Sequence, residues 1–199
     1  MGIWVTWIPY SFWLIMLLLS VYNQIRAENK MRQGYRIDLT PDPWPRIDRK
    51  TRNMIRKGQR ELWMRRGVLS DLKSLHWNTA YLPHQLNNRE HVYVAMLDDS
   101  IPPISAVLVE EHCDHITYRY AGNNRVYSSY QGNSFLLWSI VEMYQGKQIE
   151  YVDLGGSAVP DIERFKRGFS TSTYELEKKP RALVLYRKLK YHIKKRLNT

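Results

Sequence analysis

The stretch DLGGSAVPDIERFKRGFS, Asp153 to Ser170, joins a carboxylate, two glycines, a proline and a charged run that ends Phe-Lys-Arg-Gly-Phe. An ammonium held beside an apolar anchor can meet a phosphate or a developing oxyanion, which makes Lys166 a candidate catalytic group. Asp153 can accept a proton or orient an amine. Gly155 and Gly156 can take positive φ or let a ligand approach the backbone. The same residues also describe an ordinary strand–turn–helix corner, in which the glycines turn the chain, Phe165 and Phe169 pack, and Lys166 is solvated.

Other residue types with chemical potential are scattered. HCDH, His112 to His115, carries metal-ligating types. Adjacent side chains diverge in a hairpin turn, however, and no second ligand cluster accompanies them, so no metal site is expected. His76 in LHWNT is a candidate general base, because histidine as a residue type titrates near neutrality. His76 and His84 lie on or just after a helix, where histidines also pack or face solvent. No Ser-His-Asp triad stands out. The single cysteine, Cys113, excludes an intrachain disulfide framework.

The charge is uneven. Thirty Lys and Arg face 19 Asp and Glu in 199 residues, a formal net charge of +11. The excess gathers in residues 46–66 and 180–199, and such blocks suit nucleic acid or an anionic membrane surface as well as a solvated helix face. The first 25 residues carry no charged side chain. Ile3 to Tyr22 is an apolar, aromatic run of about the ~20 residues that a membrane-spanning helix needs. Trp4, Trp7, Tyr10 and Tyr22 sit near its ends and Arg26, Lys30, Arg32 and Arg36 follow it. Residues 1–25 therefore read as a transmembrane anchor and 26–199 as one domain. The positive flank places that domain at the cytoplasmic face of the membrane; without the anchor it would be cytoplasmic.

The elements that must position these groups follow from periodicity. YRIDLT alternates as a strand, and a helix is expected from Trp44 to about Gln59, ended by Gly58. ELWMRR reads as a strand and LSDLKSLHWNTAYL as a helix capped by Ser70. HVYVAMLD, ISAVLVEE and ITYRYAG form a β-meander. NSFLLWSIVEMYQGK is a helix capped by Asn133 or Ser134 and stopped near Gly146. IEYVDLGG is a strand, Pro160 to Arg167 a short helix with Ile162, Phe165 and Phe169 on one apolar face, and STYELEKK a strand. Arg181 to Leu197 is a basic amphipathic helix. The order predicts an α/β fold, a twisted mixed sheet covered by helices on both faces.

DLGG followed after a short gap by FKRGF resembles the closing motif of the FemABX-like proteins, a branch of the GCN5-related N-acyltransferase fold. The lead-in SFLLWSIVEMYQGKQIEYVDLGG, the meander, and DLTPDPWPRIDRKTRNMIRKGQRE are also similar to that family, over about Tyr35 to Glu177. The resemblance implies amide-bond formation in which an amino acid moves from aminoacyl-tRNA to the amine of a peptidoglycan precursor. It assigns Lys166 to the oxyanion or a substrate phosphate, and Asp153 to the amine. Gly155, Gly156, Phe165, Arg167, Phe169 and Tyr130 become substrate-binding candidates, and Lys50, Arg52, Arg56 and Lys57 face RNA phosphates. Members of the family carry two tandem halves, whereas this chain holds one, of the C-terminal type. The implied partners are aminoacyl-tRNA or another acyl donor, a cell-wall precursor amine, an anionic membrane surface, and a second copy that completes the site. No cofactor is implied, because SSYQGNSFLL lacks the full (Gln/Arg)-x-x-Gly-x-(Gly/Ala) loop that cradles the pyrophosphate of acetyl-CoA. Two other readings are N-acylation of a saccharide or small amine from a different donor, and a non-catalytic membrane- or RNA-binding half-domain.

Overall fold

Alternating side chains along the meander set the architecture. In the computed structural model, which describes residues 33–176, Val92, Val94 and Met96 enter one apolar cluster while Tyr93 and Ala95 enter another. Ala106 and Leu108 part from Val107 and Val109 in the same way. A period of two sends successive residues to opposite faces, so these strands are buried on both sides.

The strands are β1 (Gln33–Asp38), β2 (Trp63–Arg66), β3 (Glu90–Met96), β4 (Ser105–Glu111), β5 (His115–Asn123), β6 (Tyr151–Gly155) and β7 (Ser172–Glu175). They form a seven-stranded sheet in the order β2-β3-β4-β5-β6-β1-β7. The β2–β3, β3–β4, β4–β5 and β6–β1 pairs are antiparallel and β5–β6 is parallel. The helices are α1 (Arg49–Glu61), α2 (Leu69–Leu75), α3 (Gly132–Tyr144) and α4 (Pro160–Phe169). Helices α1 and α3 cover the larger cluster through Ile55, Phe135, Leu136 and Ile140, and α2 covers the other through Leu72. The expected mixed sheet with helices on both faces is present.

Several boundaries differ from expectation. The helix foreseen from Trp44 breaks into a 3-10 turn, Trp44–Arg46, and α1, with Ile47 extended between them. Gly58 does not end α1. It is buried inside the helix, where a β-carbon would come within 2.6 Å of Phe135 Cβ, so glycine lets α1 approach α3. Helix α2 is shorter than expected. It is led by Val68, whose N–H donates to the Asp71 carboxylate at 2.9 Å, and Ser70 lies within it rather than capping it. Neither Asn133 nor Ser134 caps α3; Gln131 precedes it in the left-handed region (φ 61). Helix α4 runs two residues further than expected, to Phe169. The anchor of residues 1–25 and the basic helix from Arg181 to Leu197 lie outside the described residues. Among the described residues no helix is long and apolar enough to cross a membrane.

Candidate active site

Strand β6 carries the candidate site because its two neighbours treat it differently. Alongside β5 it pairs His115 with Tyr151, Ile116 with Val152 and Thr117 with Asp153, and there the parallel register ends. Alongside β1 the pairing shifts between Tyr35 and Arg36 and continues to Gly155. The parallel strands therefore part at Asp153, and the glycine corner follows at their carboxyl ends, where open α/β sheets form ligand crevices. Gly155 sits at φ 60, a conformation that suits glycine.

The next helix returns a lysine to this corner. Pro160 opens α4, Asp161 and Glu163 occupy its first turn, and Lys166 and Arg167 its last, as the helix dipole favours. Phe169 is fully buried, with its ring centroid 5.0 Å from that of Phe165, and this pair fastens α4 to the core. Lys166 Nζ then donates to the Gly156 carbonyl at 2.9 Å. A β-carbon on Gly155 would meet only this ammonium, at 3.9 Å. Burial holds the Lys166 ammonium below the usual lysine range, and the nearby Asp153 charge partly offsets the shift.

Asp153 is tied in place. Its Oδ1 accepts from the Gly155 N–H at 2.8 Å and from the Tyr174 hydroxyl at 2.6 Å. Burial raises the Tyr174 hydroxyl, and the hydrogen bond to Asp153 raises it further, so this phenol is a donor across the working pH range. The Tyr174 ring lies directly over Gly34, where a β-carbon would collide with it. At the rim, the Tyr35 hydroxyl donates to Glu163 at 3.3 Å. Tyr174, Tyr35 and Glu163 carry no motif that sequence reasoning could have used. Tyr174 in particular appears only as one residue of a terminal strand.

Four of the sequence candidates, Asp153, Gly155, Gly156 and Lys166, meet at this corner. Phe165 is half-buried against the core and Arg167 is exposed on α4. Phe169, at 0% exposure, serves by packing and not by touching a ligand. Ile162 does not share its apolar face but is 44% exposed. Tyr130 belongs to the 3-10 segment Arg125–Tyr130, with its carbonyl beside Gly58 of α1, outside the corner's hydrogen-bond network.

The basic helix is joined to the corner through the signature motif itself. Gly168 of FKRGF lies against Thr51 of α1, and its carbonyl accepts from the Asp48 N–H at 3.1 Å. The four basic candidates do not share one face. At about 100° per residue, the buried line of Thr51, Ile55 and Gly58 separates Arg52 and Arg56 on one flank from Lys50 and Lys57 on the other. The Arg56 guanidinium lies 5.4 Å from the centroid of the Trp44 ring.

The remaining histidines stay apart. His76 contacts the Asn78 backbone through Nδ1, and its ring meets the Tyr120 edge at 6.0 Å. The His112 and His115 rings stack at 4.3 Å, and His115 stacks on Tyr151 at 5.0 Å. Among the described residues no group of three His, Cys, Asp or Glu is gathered for a metal. At the start of α3, Gly132 is pressed against the Ser105 side chain, and the Asn133 side-chain oxygen accepts from the Ser105 hydroxyl.

Residues 20–167 match the acetyltransferase (GNAT) domain family. The chain belongs to that family. The lysine corner lies in the closing segment of the matched residues. No curated protein matches it. Among solved structures, the GNAT domain is similar to FemX at 10% identity and a TM-score of 0.57, over 72% of this chain and 61% of that one. It is also similar to the C-terminal domain (DUF2156) of a lysylphosphatidylglycerol synthetase from Agrobacterium fabrum, at 14% identity and a TM-score of 0.53, over 73% and 58%. A conserved protein of unknown function from Bacteroides thetaiotaomicron matches at 7% and 0.50, over 74% and 60%. The GNAT chain thus spans about three fifths of the length of the structures it matches. These likenesses show a shared fold.

Proposed function

We propose that this acyltransferase domain forms an amide bond by moving an amino acid from aminoacyl-tRNA to the amine of a peptidoglycan precursor. The observation that carries the reading is the Lys166 ammonium, held by the Gly156 carbonyl over the left-handed Gly155 at the parting of two parallel strands. Aminolysis of an ester passes through a tetrahedral oxyanion. Attack of the neutral amine forms the C–N bond, the ester C–O bond breaks, and the amine proton leaves with the tRNA ribose oxygen. Gly156 occupies one of the three donors of the lysine ammonium, which leaves it able to donate toward that oxyanion. Asp153 partly offsets by its charge the cost of burying the ammonium and, through Gly155, fixes the shape of the corner.

Two features bear on donor and assembly. The packed glycine at the α3 start and the incomplete pyrophosphate loop favour an aminoacyl ester over a CoA thioester as donor. Clefts of about 340 and 580 Å³ lie away from the corner, the larger of them at the other end of β6. A second copy of the chain is proposed to supply the opposing wall, the apolar N-terminal segment to anchor the chain at the cytoplasmic face of the membrane, and the basic surface to face anionic lipid.

The test is transfer of radiolabelled amino acid from aminoacyl-tRNA to a lipid-linked peptidoglycan precursor by the full chain, with phosphatidylglycerol and acetyl-CoA offered as alternative acceptor and donor. Amide product that disappears in Lys166→Met supports the reading. Transfer only to phosphatidylglycerol, or only from acetyl-CoA, replaces it.

A further inference from the structure

A second built cleft lies between α1, α3 and the loop after β1, with no residue in common with the lysine corner. Its volume is about 340 Å³, inside the ~300–1,000 Å³ range of small-molecule sites. The aromatic part of the wall is the half-buried Trp44, which packs on the buried Trp138 at 4.7 Å between centroids, tilted at 54°, with Arg56 leaning over it. The loop that carries Trp44 is pinned, because the Arg46 guanidinium donates to the Asp38 and Pro41 carbonyls at 2.8 and 2.7 Å.

Hydrogen-bonding groups of both kinds ring that wall. Asp42 and Glu142 supply acceptors, and Gln59 and Gln145 each supply donors and an acceptor. Two of these are already oriented. The Trp138 indole N–H donates to Glu142 at 2.5 Å, and the Trp44 backbone N–H donates to Asp42 at 3.1 Å. Gln145 also reaches Asp42, at 3.4 Å.

The charge balance selects the ligand class. A phosphate or carboxylate would face two carboxylates, and a small cation would face the Arg56 guanidinium. A neutral ring with an apolar face and hydroxyls around its edge meets neither conflict. Each hydroxyl donates to a carboxylate or amide oxygen and accepts from an amide or guanidinium N–H, while the ring's C–H face lies on the exposed part of Trp44. We infer that the cleft of Trp44, Trp138, Gln59, Gln145, Asp42 and Glu142 binds a neutral pyranose sugar. The site stands independently of the transfer reaction proposed for Lys166.

The test is isothermal calorimetry on the full chain with methyl glucoside, methyl galactoside, N-acetylglucosamine and the disaccharides cellobiose and chitobiose, alongside adenosine, spermidine and inorganic phosphate. At least one sugar is expected to bind in the millimolar range. Trp44→Ala should weaken it about tenfold or more, and Gln145→Ala, at an exposed position, about fivefold. Lys166→Ala should leave it unchanged. A disaccharide that binds tighter than its monosaccharide identifies a glycan as the source, and equal affinities a free sugar; both support the site. Gln145→Ala also guards against a folding defect in Trp44→Ala. The inference is overturned if no sugar binds, if sugar binding survives both substitutions, or if only adenosine, spermidine or phosphate binds in a Trp44-dependent way.

Discussion

Gly168 and Thr51 meet so closely that a β-carbon at residue 168 would overlap the threonine hydroxyl, while the Thr51 β-carbon would stay at 3.7 Å. The glycine of FKRGF is thus a packing residue that seats the first turn of the basic helix against α4. Gly168→Ala is expected to destabilise the domain by about 1–3 kcal/mol through overpacking. Thr51→Ala removes the atom in the way, so the double variant should recover most of that loss. Denaturant melts of the four proteins give the coupling energy. Additive effects would show that the contact is not what requires glycine.

Lys166 gives a pH signature. Its pKa is lowered by burial, so an activity that needs the ammonium is complete at lower pH and is lost as pH rises through that depressed value. The alkaline limb of the transfer rate should therefore fall below the range of an ordinary lysine. Lys166→Arg, if active, should shift the limb upward, because arginine stays charged. Lys166→Met should lower the rate by about 10²–10³-fold, as loss of an oxyanion donor does elsewhere. Its melting temperature should not fall, because a cation held in a desolvating site is removed. Rates measured across pH decide the matter, and an unshifted limb in Lys166→Arg would assign it to another group.

Tyr174→Phe keeps the ring over Gly34 and deletes only the hydroxyl on Asp153. A hydrogen bond to a charged acceptor contributes about 1.5–3 kcal/mol, and the part-exposed setting favours the lower end. A smaller transfer rate with an unchanged acceptor KM would mark Tyr174 as a positioning residue for the corner. Loss of stability alone, with the pH profile intact, would confine it to packing.

The two flanks of α1 should separate in RNA binding. Arg56 leans on Trp44 in a cleft that also holds Asp42 and Glu142, a poor setting for phosphate. Lys50 and Lys57 occupy the opposite flank and are both exposed. Lys50→Ala/Lys57→Ala should reduce the salt slope of tRNA binding by about 2, one per phosphate contact. Arg52→Ala/Arg56→Ala should leave it nearly unchanged. The reverse pattern in salt titrations would place the RNA on the other flank.

Much of this was legible in the sequence because it is local. The alternation in HVYVAM and SAVLVE needs only the pleat of a strand, so the meander and its two-sided burial follow from the residues themselves. Pro160 at a helix start, a glycine where the chain must turn at φ 60, and basic residues in the last turn of α4 are likewise effects of nearest neighbours. A resemblance built on such local motifs reached the GNAT family.

What tertiary structure alone decided is contact between segments distant in sequence. Tyr174 reaches Asp153 only because β1 lies between β6 and β7 in the sheet, so that a tyrosine from one side of β1 can bond a carboxylate on the other. Gly58 looked like a helix stop and proved to be the point where α1 approaches Phe135. The basic run looked like one surface until burial of Thr51, Ile55 and Gly58 divided it. Composition and spacing record which side chains a segment offers. Which flank is covered, and which distant partner meets it, depends on how the sheet and helices pack, and that is where this chain places its candidate chemistry.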